Sequence, residues 1–308
     1  MFTYGPVPSR RLGYSLGVSL IPPKTCSYSC VYCQLGRTNR LQVKRENFYR
    51  KEDVFAEIER QLTHSKADYI TFVGDGEPTL SADLGWLIRK CKESTSKPVA
   101  VITNASLLFE SGIRQDLSKA DVVIPSLDAG SPEIFSRINR PHGTIKFETM
   151  LRGQMDFRRD YRGQIWLEVM LVHEVNDTEE ALKDIRIAID KIQPDRVYLT
   201  TPIRPPAESW VRPPPPEKIL RAQEIIGQAI TVDMIESGAF GHETFASAQQ
   251  AILEIGSRHP LRLEQARRIE DEFTESGIVD KMIEDKVLRK VLFHNSEYLL
   301  PSHFVRGQ

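Results

Sequence analysis

The sequence is poor in cysteine, in tryptophan and in net charge, and it has no long apolar run. Only four of 308 residues are cysteine and three are tryptophan. So few cysteines cannot staple a chain of this length, and a disulfide-built secreted scaffold is excluded. The formal net charge is -1 and the pI about 6.7, so there is no global pull toward nucleic acid or an anionic membrane. No stretch reaches the roughly 18 apolar residues a membrane span needs. The opening "MFTYGPVPSRRLG" lacks the apolar stretch of a signal peptide, which leads us to expect a cytoplasmic protein with no membrane partner. What is present is ordinary for a globular protein: 40% apolar and 27% charged residues, with a mean hydropathy of -0.34.

Two periodicities alternate through the first two thirds. Short β-branched or apolar runs at 14–21, 68–74, 98–104, 121–128, 165–172 and 195–201 predict buried strands. Helical patterns fall at 51–62, 84–94, 132–138, 147–161 and 178–192. This repetition predicts an α/β fold with a parallel sheet, arranged as a partial (β/α)6 TIM-like barrel. Chemistry is then expected at the C-terminal ends of the strands. The proline-dense "TPIRPPAESWVRPPPPEK" (201–218) breaks the pattern and predicts a loop or stiff connector. Helical patterns follow at 217–230, 243–257, 262–273 and 278–291. "KVLFHNSEYLLP" (290–301) predicts a hairpin turning at Asn295-Ser296. Helices followed by a hairpin suggest a winged-helix-like α+β module. The expected division is 1–225 for the barrel and 226–308 for a helical linker and that module.

Three of the four cysteines crowd into "TCSYSCVYCQLG" (25–36). Cys26, Cys30 and Cys33 stand in Cys-x3-Cys-x2-Cys spacing, which can wrap three thiolates around one inorganic centre. Structural zinc wants four ligands, so three leave a position open. A zinc site completed by a distant histidine is the alternative. Cys91 falls in a helical pattern and reads as a packed residue.

"CSYSCVYC" resembles the signature of the radical S-adenosylmethionine superfamily, including the aromatic Tyr32 before the last cysteine. The resemblance implies that Cys26, Cys30 and Cys33 ligate a 4Fe-4S cluster whose fourth iron binds S-adenosylmethionine. It implies reductive cleavage to a 5′-deoxyadenosyl radical, with the electron supplied by a partner such as ferredoxin or flavodoxin. "GDGEP" (74–78) resembles the family's Gly-Gly-Glu-Pro motif. Gly74, Asp75, Gly76 and Glu77 are thereby cofactor-binding candidates, with Asp75 replacing the usual second glycine. Thr103 and Asn104 in "ITNAS", and Ser126 and Asp128 in "SLDA", end strands where the family contacts its cofactor; helix caps and turns are the alternative. Glu168 interrupts the apolar "IWLEVMLV" and either faces a polar cavity or forms a buried pair. The resemblance spans residues 1–205. It is closest to a subgroup holding the wyosine-forming tRNA-modifying enzymes and relatives without an assigned substrate. This chain has no second cysteine group, so no second cluster is expected.

The substrate is less legible. "RTNRLQVKRENFYRK" (37–51) is a basic run with interleaved aromatics, which either grips RNA or is a solvated loop. Arg10 and Arg11 either face the site or offset cluster charge. His142, His173 and His242 lack metal-ligand spacing and read as loop residues. No catalytic residue is assigned. RNA and protein, including glycyl-radical activation, are the candidate substrates. A non-catalytic iron–sulfur sensor whose C-terminal module binds DNA is the reading from another class.

Overall fold

The computed structural model describes residues 1–232, 240–241, 245–294 and 296–302. The chain opens with an antiparallel hairpin of β1 (Thr3–Ser9) and β2 (Gly13–Val18), with Arg10 and Arg11 in its turn. A long loop follows, carrying the short parallel pair β3 (Thr25–Cys26) and β4 (Arg40–Leu41). Then strands and helices alternate: α1 (Lys51–His64), β5 (Tyr69–Phe72), α2 (Leu84–Ser94), β6 (Val99–Thr103), α3 (Ser111–Leu117) and β7 (Val122–Pro125). They continue as α4 (Pro132–Ile138), α5 (Phe147–Asp160), β8 (Gln164–Met170), α6 (Glu179–Ile192), β9 (Arg196–Thr200), α7 (Pro216–Ile226) and β10 (Ala229–Thr231).

These strands form one eight-stranded sheet in the order β1-β2-β5-β6-β7-β8-β9-β10. Every neighbour after β1–β2 is parallel. All six strands expected from the apolar runs are present, and α1, α2, α4, α5 and α6 fall on the expected helical patterns. β1 escapes a periodicity reading because "TYGPVPS" holds two prolines and a glycine. It tolerates them as an edge strand with an irregular register between Tyr4 and Val7. The pattern at 217–230 is not one helix: Gly227, at φ +86°, ends α7, and the last residues add β10 to the sheet edge.

The sheet is curled. Arg11, beside β2, ion-pairs with Glu168 of β8. In a flat sheet those strands, four intervals apart, would lie roughly 19 Å from each other. Leu12, Ala100, Val122, Ile124, Trp166 and Tyr198 fill part of the concave side. The helices bury the convex side through two larger apolar clusters, centred on residues such as Phe72, Leu87 and Phe157, and Leu167, Ile185 and Leu199. Cys91 is 1% exposed within the first of these, as a packed helix residue should be.

The last segment comprises α8 (Ala248–Gly256), β11 (Leu261–Arg262), α9 (Leu263–Glu272), α10 (Ile278–Glu284), β12 (Leu288–Phe293) and β13 (Ser296–Pro301). Its strands pair antiparallel in the order β11-β13-β12. The helical pattern at 278–291 is half wrong. Lys286 takes a left-handed φ of 58°, the helix has already stopped at Glu284, and Leu288 begins the hairpin. Val287, Leu288 and Val291 fit both periods, which is why the sequence misleads. The expected turn residue Asn295, the loop residue His242 and the start of the 243–257 pattern lie outside the described residues. The segment's core takes in Tyr4 and Val7 of β1, so it packs directly on the sheet edge.

Candidate active site

The cysteine loop leaves the C-terminal end of β2 and is pinned on two sides. Thr25 bridges to Gly76 in the turn after β5. A Cβ on Gly76 would stand 1.7 Å from the Thr25 carbonyl oxygen, so only glycine allows this approach. On the other side Val31 N donates to Ile138 O at 2.9 Å, and Ser29 N to Asn139 O at 3.1 Å, docking the loop on the end of α4. Cys26, Cys30 and Cys33 are partly buried free thiols. Asn104 Nδ2 donates to Cys26 Sγ and Asn139 Nδ2 to Cys30 Sγ, each at 3.5 Å. Burial pushes the Cys26 thiol up to about 12, and Glu77 adds to the shift. Burial and then Asp128 raise Cys30 well above its ordinary value. Among the described residues no three His, Cys, Asp or Glu side chains converge as a single metal ion would require. A multi-iron cluster spreads its cysteine ligands over the corners of a wider cage, so that criterion does not bear on it.

Two buried carboxylates organise the rim around these sulfurs. Glu77 Oε1 accepts from Thr79 N, Thr79 Oγ1 and Thr103 Oγ1 at 2.6–3.0 Å, and Oε2 from Asn104 N at 2.7 Å. Glu77 and Thr103 therefore tie the "GDGEP" turn to the end of β6. Asn104 extends its side chain to Cys26 and to Ser27 Oγ at 2.9 Å, not outward toward solvent. Asp128 accepts from Tyr32 Oη at 2.5 Å, Asn139 Nδ2 at 2.6 Å and Met170 N at 2.9 Å. Ser126 takes part through its backbone, with N donating to Thr103 O and O accepting from Gln154. Burial raises the carboxyls of Glu77 and Asp128 above the usual range, while their hydrogen bonds pull the other way. Asn139 escapes sequence reasoning: it caps α4, and nothing in "SRINRPHG" marks its amide as a sulfur partner.

Asp75 turns away from the rim. Its carboxylate meets Arg258 Nε at 3.2 Å, just beyond α8. Arg258 also bonds Glu254 and Met1 O and lies 5.4 Å from the Tyr4 ring centre. Its own carbonyl accepts from Gln34 Nε2, the residue after Cys33, and Gln34 Oε1 accepts from Arg204 at 2.8 Å. The C-terminal segment thus touches both the cysteine loop and the "GDGEP" turn.

Below the rim is a chamber of about 310 Å³, whose walls include Tyr32, Cys33, Gly74, Glu168 and Met170. Arg10, Arg11, Arg204, Arg258 and His259 line it as well. Glu168 fulfils both of its sequence alternatives: it faces the chamber and pairs with Arg11, the two being 17% and 12% exposed.

The basic run does not form a one-signed patch. Arg37 makes a two-pronged bond to Glu208, Arg40 pairs with Glu46, and Arg45 with Asp116. Lys51 reaches Asp83. Glu208, in the proline-rich loop, also binds Arg140, and Arg37 holds its carboxyl below the ordinary range. Its backbone N donates to Val31 O, so this loop buttresses the cysteine loop. His142 bonds Thr144, and His173 bonds Asp177; neither lines the chamber.

Comparison with known proteins agrees with this geometry. The Radical SAM superfamily profile matches residues 20–185. The UPF0026 protein MJ1312 of Methanocaldococcus jannaschii is 37% identical over 305 residues, covering 96% of this chain and 95% of that protein. A Brachyspira hyodysenteriae protein named GTPase Obg is 48% identical over 202 residues, which is 65% of this chain but 30% of that protein. A radical SAM methyltransferase from Sphaerobacter thermophilus superposes with a TM-score of 0.56 at 16% identity, over 70% of this chain and 65% of that one. Streptococcus suis SuiB bound to S-adenosylmethionine gives 0.54 at 15% identity, over 72% and 50%. At such identities the structural likeness is one of fold. The family match and the full-length relative carry more: the chain belongs to the radical SAM superfamily, whose cofactors are a 4Fe-4S cluster and S-adenosylmethionine.

Proposed function

We propose that this chain is a radical S-adenosylmethionine enzyme in which Cys26, Cys30 and Cys33 are the protein ligands of the cluster. The observation that carries the reading is the three-thiol loop at the C-terminal ends of the parallel strands, with amide N–H groups aimed at two of its sulfurs. This donor set fits the group: it is all sulfur, undivided by disulfides and, among the described residues, without a fourth ligand converging on it. The bound cofactors supply one-electron cleavage of the sulfonium and abstraction of a hydrogen atom from substrate.

The chain's own residues orient and tune. Asn104 and Asn139 donate to the Cys26 and Cys30 sulfurs, and hydrogen bonds to ligand sulfur raise a cluster's reduction potential by stabilising the extra charge. Asp128 fixes both Asn139 and Tyr32. Gly74 and Gly76 keep the turn open to close backbone approach, and Glu77 with Thr103 holds its shape. The electron comes from an external donor, as in the superfamily, and a ferredoxin or flavodoxin suits the role.

The partial barrel is read as running past the expected boundary at 225 to take in β10 (Ala229–Thr231), and the segment from α8 onward as a winged-helix-like module. The helix–strand–helix–helix–strand–strand order of α8 to β13 supports this. Capping suits that module better than nucleic-acid binding, because it reaches the site through Arg258 and its arginines answer carboxylates, Arg262 with Glu264 and Arg267 with Asp280. RNA gains little support from the 37–51 run, where Arg37, Arg40, Arg45 and Lys51 each meet an acid of the protein.

Anaerobic reconstitution with iron and sulfide, followed by dithionite and S-adenosylmethionine, tests the reading. Wild type is expected to bind about four irons per chain and to release 5′-deoxyadenosine. Alanine at Cys26, Cys30 or Cys33 should abolish both. A cysteine variant with wild-type iron and wild-type cleavage would sink the assignment.

A further inference from the structure

We propose that Arg258 is a positioning residue for the cofactor site: it holds the cysteine loop and the "GDGEP" turn in register, and so makes binding of S-adenosylmethionine depend on the docked C-terminal segment. This deepens the function proposed above and rests on it for reading the turn as cofactor-binding. Three distant parts of the chain, at residues 1, 34 and 75, meet on this one residue. Arg258 Nε donates to Asp75 Oδ2 at 3.2 Å and Nη2 to the Met1 carbonyl at 2.9 Å. Nη1 donates to Glu254 Oε2 at 2.8 Å, which ties the guanidinium back to α8. The Arg258 carbonyl accepts from Gln34 Nε2 at 2.8 Å. The side chain is 10% exposed and stands over the Tyr4 ring. A guanidinium enclosed in this way and bonded on several sides cannot rotate without stranding an N–H, so it acts as a rigid junction.

Each part of the cysteine loop is supported from a different element. Asn104 reaches Cys26 from the end of β6, and Asn139 reaches Cys30 from the end of α4. The flank of Cys33 is supported from the C-terminal segment. Gln34 is held by the Arg258 carbonyl, and Leu35 packs on Leu300 of β13, with Cys33 and Val291 of β12 against them. The "GDGEP" turn has two side-chain anchors of its own. Glu77 fastens it to the end of β6, and Asp75 fastens it to Arg258. Asp75 lies between Gly74, at φ +129°, and Gly76, and glycine gives a turn little stiffness of its own. Its backbone also meets the approach to the cysteines, with Lys24 N donating to Asp75 O at 2.7 Å. A shift of Asp75 therefore moves both the turn and the start of the cysteine loop. The carboxylate standing in place of a glycine is the barrel's half of the joint, and Arg258 is the C-terminal segment's half.

Two variants separate holding the fold from holding the site. Arg258→Ala strands the Asp75 charge, and Arg258→Ala/Asp75→Asn removes that charge while leaving the joint broken. The double variant carries the test where the single one fails to fold. Reconstituted proteins are compared at equal iron content by equilibrium dialysis. Both variants should bind S-adenosylmethionine about tenfold more weakly than wild type, the scale on which a remote contact biases a site. Formation of 5′-deoxyadenosine should show the same rise in KM with kcat within about twofold of wild type, which marks lost binding and not lost chemistry. In cluster-free protein, the amides of 25–36 and 74–77 should exchange hydrogen faster in both variants, with those of the central strands unchanged. Thermal stability should largely return in the double variant, whereas weak binding and fast exchange should persist. Wild-type affinity in Arg258→Ala overturns the proposal. So does affinity that returns together with stability in the double variant, as a purely structural residue would give, and so does unchanged exchange in both segments. A wild type that binds no S-adenosylmethionine would overturn the proposed function, and exchange in the cluster-free protein would still decide whether Arg258 holds the two segments.

Discussion

The rim of the chamber and the walls below it bury acidic side chains in opposite ways. At the rim, Glu77 and Asp128 are 1% and 3% exposed, and the groups bonded to them are neutral: hydroxyls, amides and a phenol. Below and beside it, Glu168 and Asp75 each meet an arginine. Neutral donors stabilise a carboxylate without cancelling its charge, so the rim is electronegative whenever these acids are ionised. That suits a region meant to hold iron and a sulfonium. An ion pair largely cancels its own field at a distance. The same residue type is thus a local negative charge at the rim and one half of an ion pair below it, and the difference lies in what each acid is bonded to.

Breaking the arginine side of this contrast has the largest expected effect. Arg258→Ala leaves Asp75, 5% exposed, as a buried charge without its cation. Removing one partner of a buried pair costs about 3–5 kcal/mol. Thermal unfolding should show a large loss, and Arg258→Ala/Asp75→Asn should recover a good part of it. A loss below about 1 kcal/mol in the single variant, the scale of an exposed pair, would mean that the seam is solvated and the contrast with the rim is false. The rim should respond more mildly. Asp128→Asn keeps the shape but presents an amide N–H to Tyr32, Asn139 or Met170 N, all of which donate to the native carboxylate. One donor is then stranded at about 1–3 kcal/mol. If Asp128→Asn costs more than Arg258→Ala by the same measurement, charge cancellation is not what separates the two regions.

Much of this was legible in the sequence, and the boundary of legibility is physical. Strand and helix periods gave the parallel sheet because each apolar run is bounded by turn residues and buried on both faces. The spacing of Cys26, Cys30 and Cys33 and the glycines of "GDGEP" report local backbone constraints, which a sequence displays directly. Glu77 finds one partner locally in Thr79, but Thr103 and Asn104, and the partners of Asp128 and Glu168, come from other elements. Asn139 bonds Cys30 across 109 positions, and Arg11 reaches Glu168 across four strand intervals of a curled sheet. Asp75 is the instructive case. As a departure from the family's glycine it looks like a defect in the cofactor turn, until Arg258, 183 positions later, is found against it. β1 and β10 were hidden for the opposite reason: prolines at an edge strand and a helix-like period past Gly227 each mimic another structure.

The smallest expected effect concerns the basic run that looked most functional. Arg40 and Arg50 are 48% and 79% exposed, and each is offset by a nearby acid, Glu46 or Asp53. Exposed pairs of this kind contribute about 0.5 kcal/mol each. Arg40→Gln/Arg50→Gln should therefore unfold within a degree or two of wild type. It should form 5′-deoxyadenosine at the wild-type rate, because Arg40 meets the cysteine loop only through its backbone and neither side chain lines the chamber. Affinity for tRNA, measured by filter binding, should be equally weak in both proteins. A tenfold loss of tRNA binding in the variant would move the basic surface from a solvated loop to a substrate contact. The exposed pair Arg40–Glu46 and the buried pair Arg258–Asp75 differ chiefly in solvent, so this null result and the expected loss in Arg258→Ala measure one variable at its two ends.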